Sequence, residues 1–151
     1  VFLTADQILA HLVGDYVLQS HWMATEKLKK SSAAFAHALV YTLCFLPIST
    51  SPKALAFILV THFVIDRWRL ARFACWLKNF LAPPGWASAP FQTNPPRDQP
   101  PRYPAWNYPW EECAGTGYPK DVPTWLSVWL LIIADNTFHL ICNGVALKWL
   151  V

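Results

Sequence analysis

The sequence predicts an all-α protein, a four-helix transmembrane bundle with a long Pro/Trp-rich loop between helices three and four. Three observations carry that expectation. Hydrophobic residues make up 54% of the 151-residue chain and charged residues only 14%, well below the roughly 25% of an ordinary soluble domain. The apolar residues gather in four stretches, and one Pro-rich stretch interrupts them. Within the apolar stretches stand three His/Asp pairs at i,i+4 spacing, His11/Asp15, His62/Asp66 and Asp135/His139. That spacing puts both members of a pair on one face of one helix.

The first helix is expected over residues 2–23. His11, Asp15 and Gln19 form a polar stripe on it at i, i+4 and i+8, to be turned into a bundle. A basic connector, Lys27 to Lys30, follows. Ser31 and Ser32 are candidate caps for a second helix over 33–48, which carries no charge and one histidine, His37. Pro47 and Pro52 frame a turn before a third helix over 53–81. Its first half is apolar around Thr61 and His62. From Asp66 it becomes basic and aromatic, with Arg67, Trp68, Arg69, Arg72 and Lys78. Residues 82–123 hold eleven of the thirteen prolines, so an irregular loop is expected there. Trp86, Trp106 and Trp110 suggest a packed loop able to grip a protein partner. The fourth helix, over 124–151, is the clearest span, with Trp at both ends, a Leu-Ile-Ile centre, and Asp135 and His139 midway. All 151 residues then form one membrane domain.

Basic residues gather at the first connector and at the end of the third segment. In an up-down bundle these fall on one side, which the positive-inside rule makes cytoplasmic. The expectation is a multi-pass protein of a cell inner membrane, with loop 82–123 in the cytoplasm and the lipid bilayer as principal partner. A net charge of +3 is too small to argue for nucleic acid. The four cysteines show no CxxC spacing and read as small core residues.

At about 1.5 Å per residue, the four segments bring seven groups to one depth: His11, Asp15, His37, His62, Asp66, Asp135 and His139. Imidazole with carboxylate favours Zn, Mn or Fe, while a carboxylate-rich site also suits Mg or Ca. Seven donors exceed the need of one zinc. Either two ions bind, or some Asp residues orient His ligands. A buried polar network that fixes helix register, or an ion path, is the competing account. Gln19, Lys27, Arg67 and Asn136 are candidates for orienting ligands or binding an anionic substrate. His21 reads as interfacial.

The run His11-Leu-Val-Gly-Asp15-Tyr-Val-Leu-Gln19, with Lys27, His37 to Tyr41, Thr61-His62 to Asp66 and Asp135-Asn136 to His139, resembles an uncharacterised family of small bacterial and phage integral membrane proteins, a domain of unknown function. The chain departs from that pattern with Asn136 in place of Gln, and with Arg67 and Arg69 where Lys is expected after Asp66. The resemblance implies membership and no activity.

The leading expectation is an integral membrane protein with an intramembrane His/Asp metal site, acting as a metal-dependent hydrolase on a lipid-borne ester or phosphoester. The metal would activate water, and Asp15 or Asp66 would accept its proton. Two alternatives stand beside it. One is a non-catalytic accessory subunit of a bacterial or phage membrane complex. The other is an ion or proton conduit.

Overall fold

A computed structural model describes residues 2–81, 109–120 and 122–151. Seven α-helices and no strand occur among them: α1 (Ala5–Leu12), α2 (His21–Glu26), α3 (Ser31–Leu43), α4 (Pro52–Trp68), α5 (Ala71–Lys78), α6 (Trp110–Cys113) and α7 (Thr124–Trp149). The all-helical class therefore holds, but the four-span transmembrane bundle does not. Among the described residues only α7 is long and apolar enough to cross a membrane. At about 1.5 Å rise per residue and a hydrocarbon core of about 30 Å, a span needs about 20 residues; α3 has 13 and α4 has 17. The sidedness argued from the basic residues presupposed four crossings and goes with them.

The expected helices are shorter because local chemistry interrupts them. The first segment leaves α-geometry at Leu12 and continues as a π-helical turn over Val13–Val17. It restarts at His21, where Ser20 Oγ accepts a hydrogen bond from the Met23 amide at 3.3 Å, an ordinary N-cap. The second segment ends at Leu43 and unwinds through turns before Pro47. Ser31 and Ser32 do not cap it. Lys30 occupies the cap position without a side-chain bond, and Ser31 Oγ instead accepts from Arg67 Nε at 3.2 Å. The third segment breaks at Arg69, whose φ of 51° and ψ of 52° are left-handed. A non-glycine residue there carries a cost of about 1 kcal/mol; the reversal is closed by Leu70 N–H donating to Ile65 C=O at 3.0 Å. Among its described residues the expected irregular loop contains one short helix, α6. Trp86 and Trp106 lie outside the described residues.

Two compact units can be distinguished. The first comprises residues 1–70 and 135–151, the second residues 71–134. In the first unit, α3 packs against α4, α2 and the π-turn. Ala33, Ala34, Ala38 and Ala54 are fully buried, and such small side chains let helices approach closely. The core gathers Ala10, Tyr41, Phe45, Ala54, Ile58 and Ala146. Ser51 starts α4 by accepting from the Ala54 amide, and its hydroxyl donates to Leu150 C=O at 2.6 Å. Gly14 is required by proximity: a Cβ there would lie 2.6 Å from Tyr41 Cδ2 and 3.2 Å from Tyr41 Cα. The outward faces are apolar, with Leu9, Leu12, Val17, Phe35, Leu43 and Val60 all exposed.

The second unit is built on aromatic contacts. Phe73 of α5 stacks on Trp110 of α6 with centroids 4.7 Å apart. The Arg72 guanidinium lies 5.4 Å from the Trp110 centroid and donates to Ala114 C=O at 3.1 Å. Gly117 has φ 84°, and a Cβ on it would meet Arg72 O at 2.3 Å; this tight turn needs glycine.

Candidate metal centre

The candidate site lies wholly within the first unit. Four stretches of chain each present side chains one helical turn apart. They are His11 and Asp15 from α1 and the π-turn, His37 and Tyr41 from α3, His62 and Asp66 from α4, and Asp135, His139 and Asn143 from α7. His11, His37, His62, Asp66, His139 and Asn143 are buried, and Asp15 keeps 11% of its side-chain surface. The π-turn places Gly14 against α3 and so brings Asp15 beside His37. An inserted residue of this kind is common where a helix must re-aim a functional side chain.

The centre of the cluster is tight. His37 Nε2 lies 3.0 Å from His62 Nε2. Asp66 Oδ2 stands 3.1 Å from the first and 3.2 Å from the second. On the other side, Asp15 Oδ1 is 3.2 Å from His37 Nε2 and 3.4 Å from His62 Nε2. The second oxygen of Asp66, Oδ1, faces His139 Nε2 at 3.5 Å, and Asp135 Oδ2 faces that same nitrogen at 3.4 Å. Three groups have donor atoms close enough to share a cation: His37, His62 and Asp66; Asp66, Asp135 and His139; and Asp15, His62 and His139.

Several buried atoms here lack the partners that folding normally supplies. Asp15 Oδ1 and His139 Nε2 make no hydrogen bond, and neither do the Nδ1 atoms of His37 and His62. An unpaired group costs about 1–3 kcal/mol; His37 and His62 beside Asp15 Oδ1, and Asp66 and Asp135 beside His139 Nε2, offset part of that. Asp15 Oδ1 and His139 Nε2 point into the cluster, where a cation would satisfy both. The unpartnered Nδ1 atoms depart from the usual metal-bound histidine, which donates its second N–H to a carbonyl or carboxylate.

The electrostatics put negative charge at the centre, on Asp15 and Asp66. Burial alone would raise the pKa of Asp66, yet the rings of His139, His37 and His62 hold the carboxyl well below the ordinary range. Asp15 behaves alike: burial pushes it up, and His37 and His62 more than offset that, so it is lowered. Burial and the neighbouring His139 hold His62 down to about 4, against the pull of Asp66. Burial also acts to lower His37, but Asp15 and Asp66 raise it overall. Ionised carboxylates and the neutral His62 are protonation states that ligate metals; burial acts to lower His139 as well, but Asp135 and Asp66 raise it to about 10, so an ion there displaces its proton, as it does on His37.

Not every expected ligand faces the centre. Both ring nitrogens of His11 are engaged elsewhere, Nδ1 with the Tyr41 hydroxyl at 2.9 Å and Nε2 with Asn136 Oδ1 at 2.8 Å. Its remaining tie to the cluster is Asp15 Oδ2, 3.3 Å from Nδ1. His11 thus orients Asp15 rather than joining the three groups. Asp135 is the most open of the carboxylates, at 28% side-chain exposure. Lys27 reaches inward, its Nζ donating to Asp66 Oδ2 and to Gln19 Oε1, each at 2.9 Å. Arg67 turns away, donating to Leu28 C=O at 2.7 Å and Lys29 C=O at 3.3 Å, so it braces the connector. Asn136 holds His11 and donates to the Tyr16 hydroxyl at 2.6 Å. His21 is exposed on α2.

Two residues of the site were not among the expected ones. Tyr41 is fully buried, stacks on His62 with centroids 3.7 Å apart, and its hydroxyl accepts from Asn143 Nδ2 at 2.6 Å. Both continue the i,i+4 spacing, Tyr41 four residues after His37 and Asn143 four after His139. Extending His37 and the Asp135/His139 stripe by one turn finds them.

A search of curated proteins and of solved structures finds no match. A family profile described as a protein of unknown function, DUF3307, matches residues 3–87, more than half of the chain. His11, Asp15, His37, His62 and Asp66 fall inside that stretch, whereas Asp135 and His139 follow it. The chain belongs to this family of proteins of unknown function, DUF3307.

Proposed function

We propose that the protein is a membrane-associated, metal-dependent hydrolase acting on a lipid-borne ester or phosphoester. The observation that carries the metal is the triangle of His37 Nε2, His62 Nε2 and Asp66 Oδ2, with edges of 3.0, 3.1 and 3.2 Å. Three donors that each bind one tetrahedral ion at about 2.0–2.1 Å are separated by about 3.3 Å. Three protein ligands with a further position free is the pattern of catalytic rather than structural zinc.

A divalent ion held there supplies a Lewis acid that activates water at neutral pH. Asp15 is the better placed proton acceptor. Its Oδ1 is buried beside the triangle without a hydrogen bond, while Oδ2 is steadied by His11. Asp66 is less suited, since both its oxygens already face imidazoles and Oδ2 also holds Lys27. Lys27, tethered by Gln19, supplies the positive charge for an anionic substrate. Membrane association is supported by the length of α7 and by the apolar outer residues of α1, α3 and α4; exposed apolar surface of this extent marks a lipid or protein contact.

The test is turnover of chromogenic lipid esters and phosphoesters in mixed micelles by protein loaded with Zn or Mn. The expected result is metal-dependent turnover that falls at least about a hundredfold in Asp15→Asn, with metal content preserved. Metal-loaded protein that turns over neither substrate class overturns the enzyme reading.

A further inference from the structure

We propose that the centre holds two divalent cations side by side, bridged by the Asp66 carboxylate. This rests on the metal reading above and specifies its stoichiometry. The two oxygens of Asp66 face different donors. Oδ2 meets His37 and His62, and Oδ1 meets His139, whose Nε2 also faces Asp135. One carboxylate whose oxygens serve two donor sets is the geometry that holds ions about 3.5–4 Å apart in two-metal sites.

Each position has its own ligands. The first takes His37, His62 and Asp66 Oδ2; the second takes His139, Asp135 and Asp66 Oδ1. Asp15 with His62 and His139 forms a third group spanning both, and the His62 and His139 rings stack with centroids 4.1 Å apart. One ion serves only one of these two donor sets. An ion in the first position leaves His139 Nε2, fully buried and without a hydrogen bond, facing only the carboxylates of Asp66 and Asp135. An ion in the second leaves the His37 and His62 nitrogens facing each other. Two ions use both donor sets, with one Asp66 oxygen on each. In bundle proteins, carboxylate and His side chains projecting inward from facing helices build such paired sites.

The measurement is metal stoichiometry of the full chain in detergent, loaded with Mn and washed with a weak chelator, together with the electron paramagnetic resonance of the bound Mn. The expected result is two ions per chain with an exchange-coupled signal. Asp135→Asn and His37→Gln each keep one ion and an uncoupled signal, and Asp66→Asn, losing the bridge, loses the coupling. A single uncoupled ion in the wild-type chain overturns the bridged pair and leaves the metal-dependent reading standing. No ion in a chain of unchanged helicity overturns both.

Discussion

His37 Nε2 and His62 Nε2 lie 3.0 Å apart inside a cluster where both rings are buried. Two lone pairs cannot share that distance. Either one nitrogen carries a proton and donates it, or a cation takes both. Asp15 and Asp66 flank the pair within 3.4 Å, which favours positive charge at that point whichever form it takes.

A bound ion should therefore stabilise the fold. Anything that binds only the native state at a hundredfold excess over Kd contributes about 2.7 kcal/mol. Added Zn or Mn is expected to raise the thermal midpoint of chelator-treated protein by several degrees, and His37→Gln to abolish most of that rise. An identical midpoint with and without metal would count against the site.

The metal-free centre should be acid-sensitive through His62. Its folded pKa is held down to about 4, by burial first and then His139, against about 6.5 in an unfolded chain. The unfolded state thus binds a proton that the native state refuses. The contribution of this group is complete above about 6.5 and is lost as pH falls toward 4. His37, raised by Asp15 and Asp66 despite burial, acts in the opposite sense, its contribution being lost as pH rises through its folded value. Comparing denaturant midpoints of wild type and His62→Gln at several pH values isolates the first effect. The wild type should lose more stability than the variant between pH 6.5 and 4, and parallel curves would refute the assignment.

Gly14→Ala is expected to destabilise although alanine is the better helix former by about 1 kcal/mol. The added Cβ would stand 2.6 Å from Tyr41 Cδ2 and 3.2 Å from Tyr41 Cα. The ring cannot yield cheaply, because it stacks on His62 and its hydroxyl serves both His11 and Asn143. Overpacking of this kind costs about 1–3 kcal/mol. Chemical denaturation measures it; a neutral or stabilising result would mean the π-turn is free to shift.

Much of the centre was legible in the i,i+4 spacing, because a helix face is fixed by local geometry. His62 with Asp66, and Asp135 with His139, meet at 3.2 and 3.4 Å as that spacing requires. What the spacing could not carry was the partner across helices. His11 reads like the other histidines in sequence, yet Tyr41 and Asn136 claim its two nitrogens. The number of spans was misread for a related reason. Apolar content does not reveal where backbone geometry changes, and the π-turn at Val13–Val17 and the left-handed Arg69 cut two expected spans into shorter helices. In sequence, Lys27 and Arg67 are equivalent candidates for binding an anionic group. Their fates differ because the connector after α2 turns Lys27 toward Asp66 while its carbonyls take up Arg67.

Lys27 offers a test that separates a structural charge from a metal-linked one. Its Nζ is 2.9 Å from Asp66 Oδ2, with 19% and 4% of the two side chains exposed, so in metal-free protein it is the fixed positive charge nearest the Asp66 carboxylate. Removing one partner of a buried pair costs about 3–5 kcal/mol where the other charge is left uncompensated, and less here, because His37, His62 and His139 still face Asp66. A divalent cation on Asp66 supplies that compensation instead. Lys27→Met is therefore expected to lower the thermal midpoint in chelator-treated protein and much less in metal-loaded protein. It should also tighten metal binding, since the ammonium no longer repels the ion. Equal destabilisation with and without metal would show that Lys27 and the ion do not act on the same oxygen.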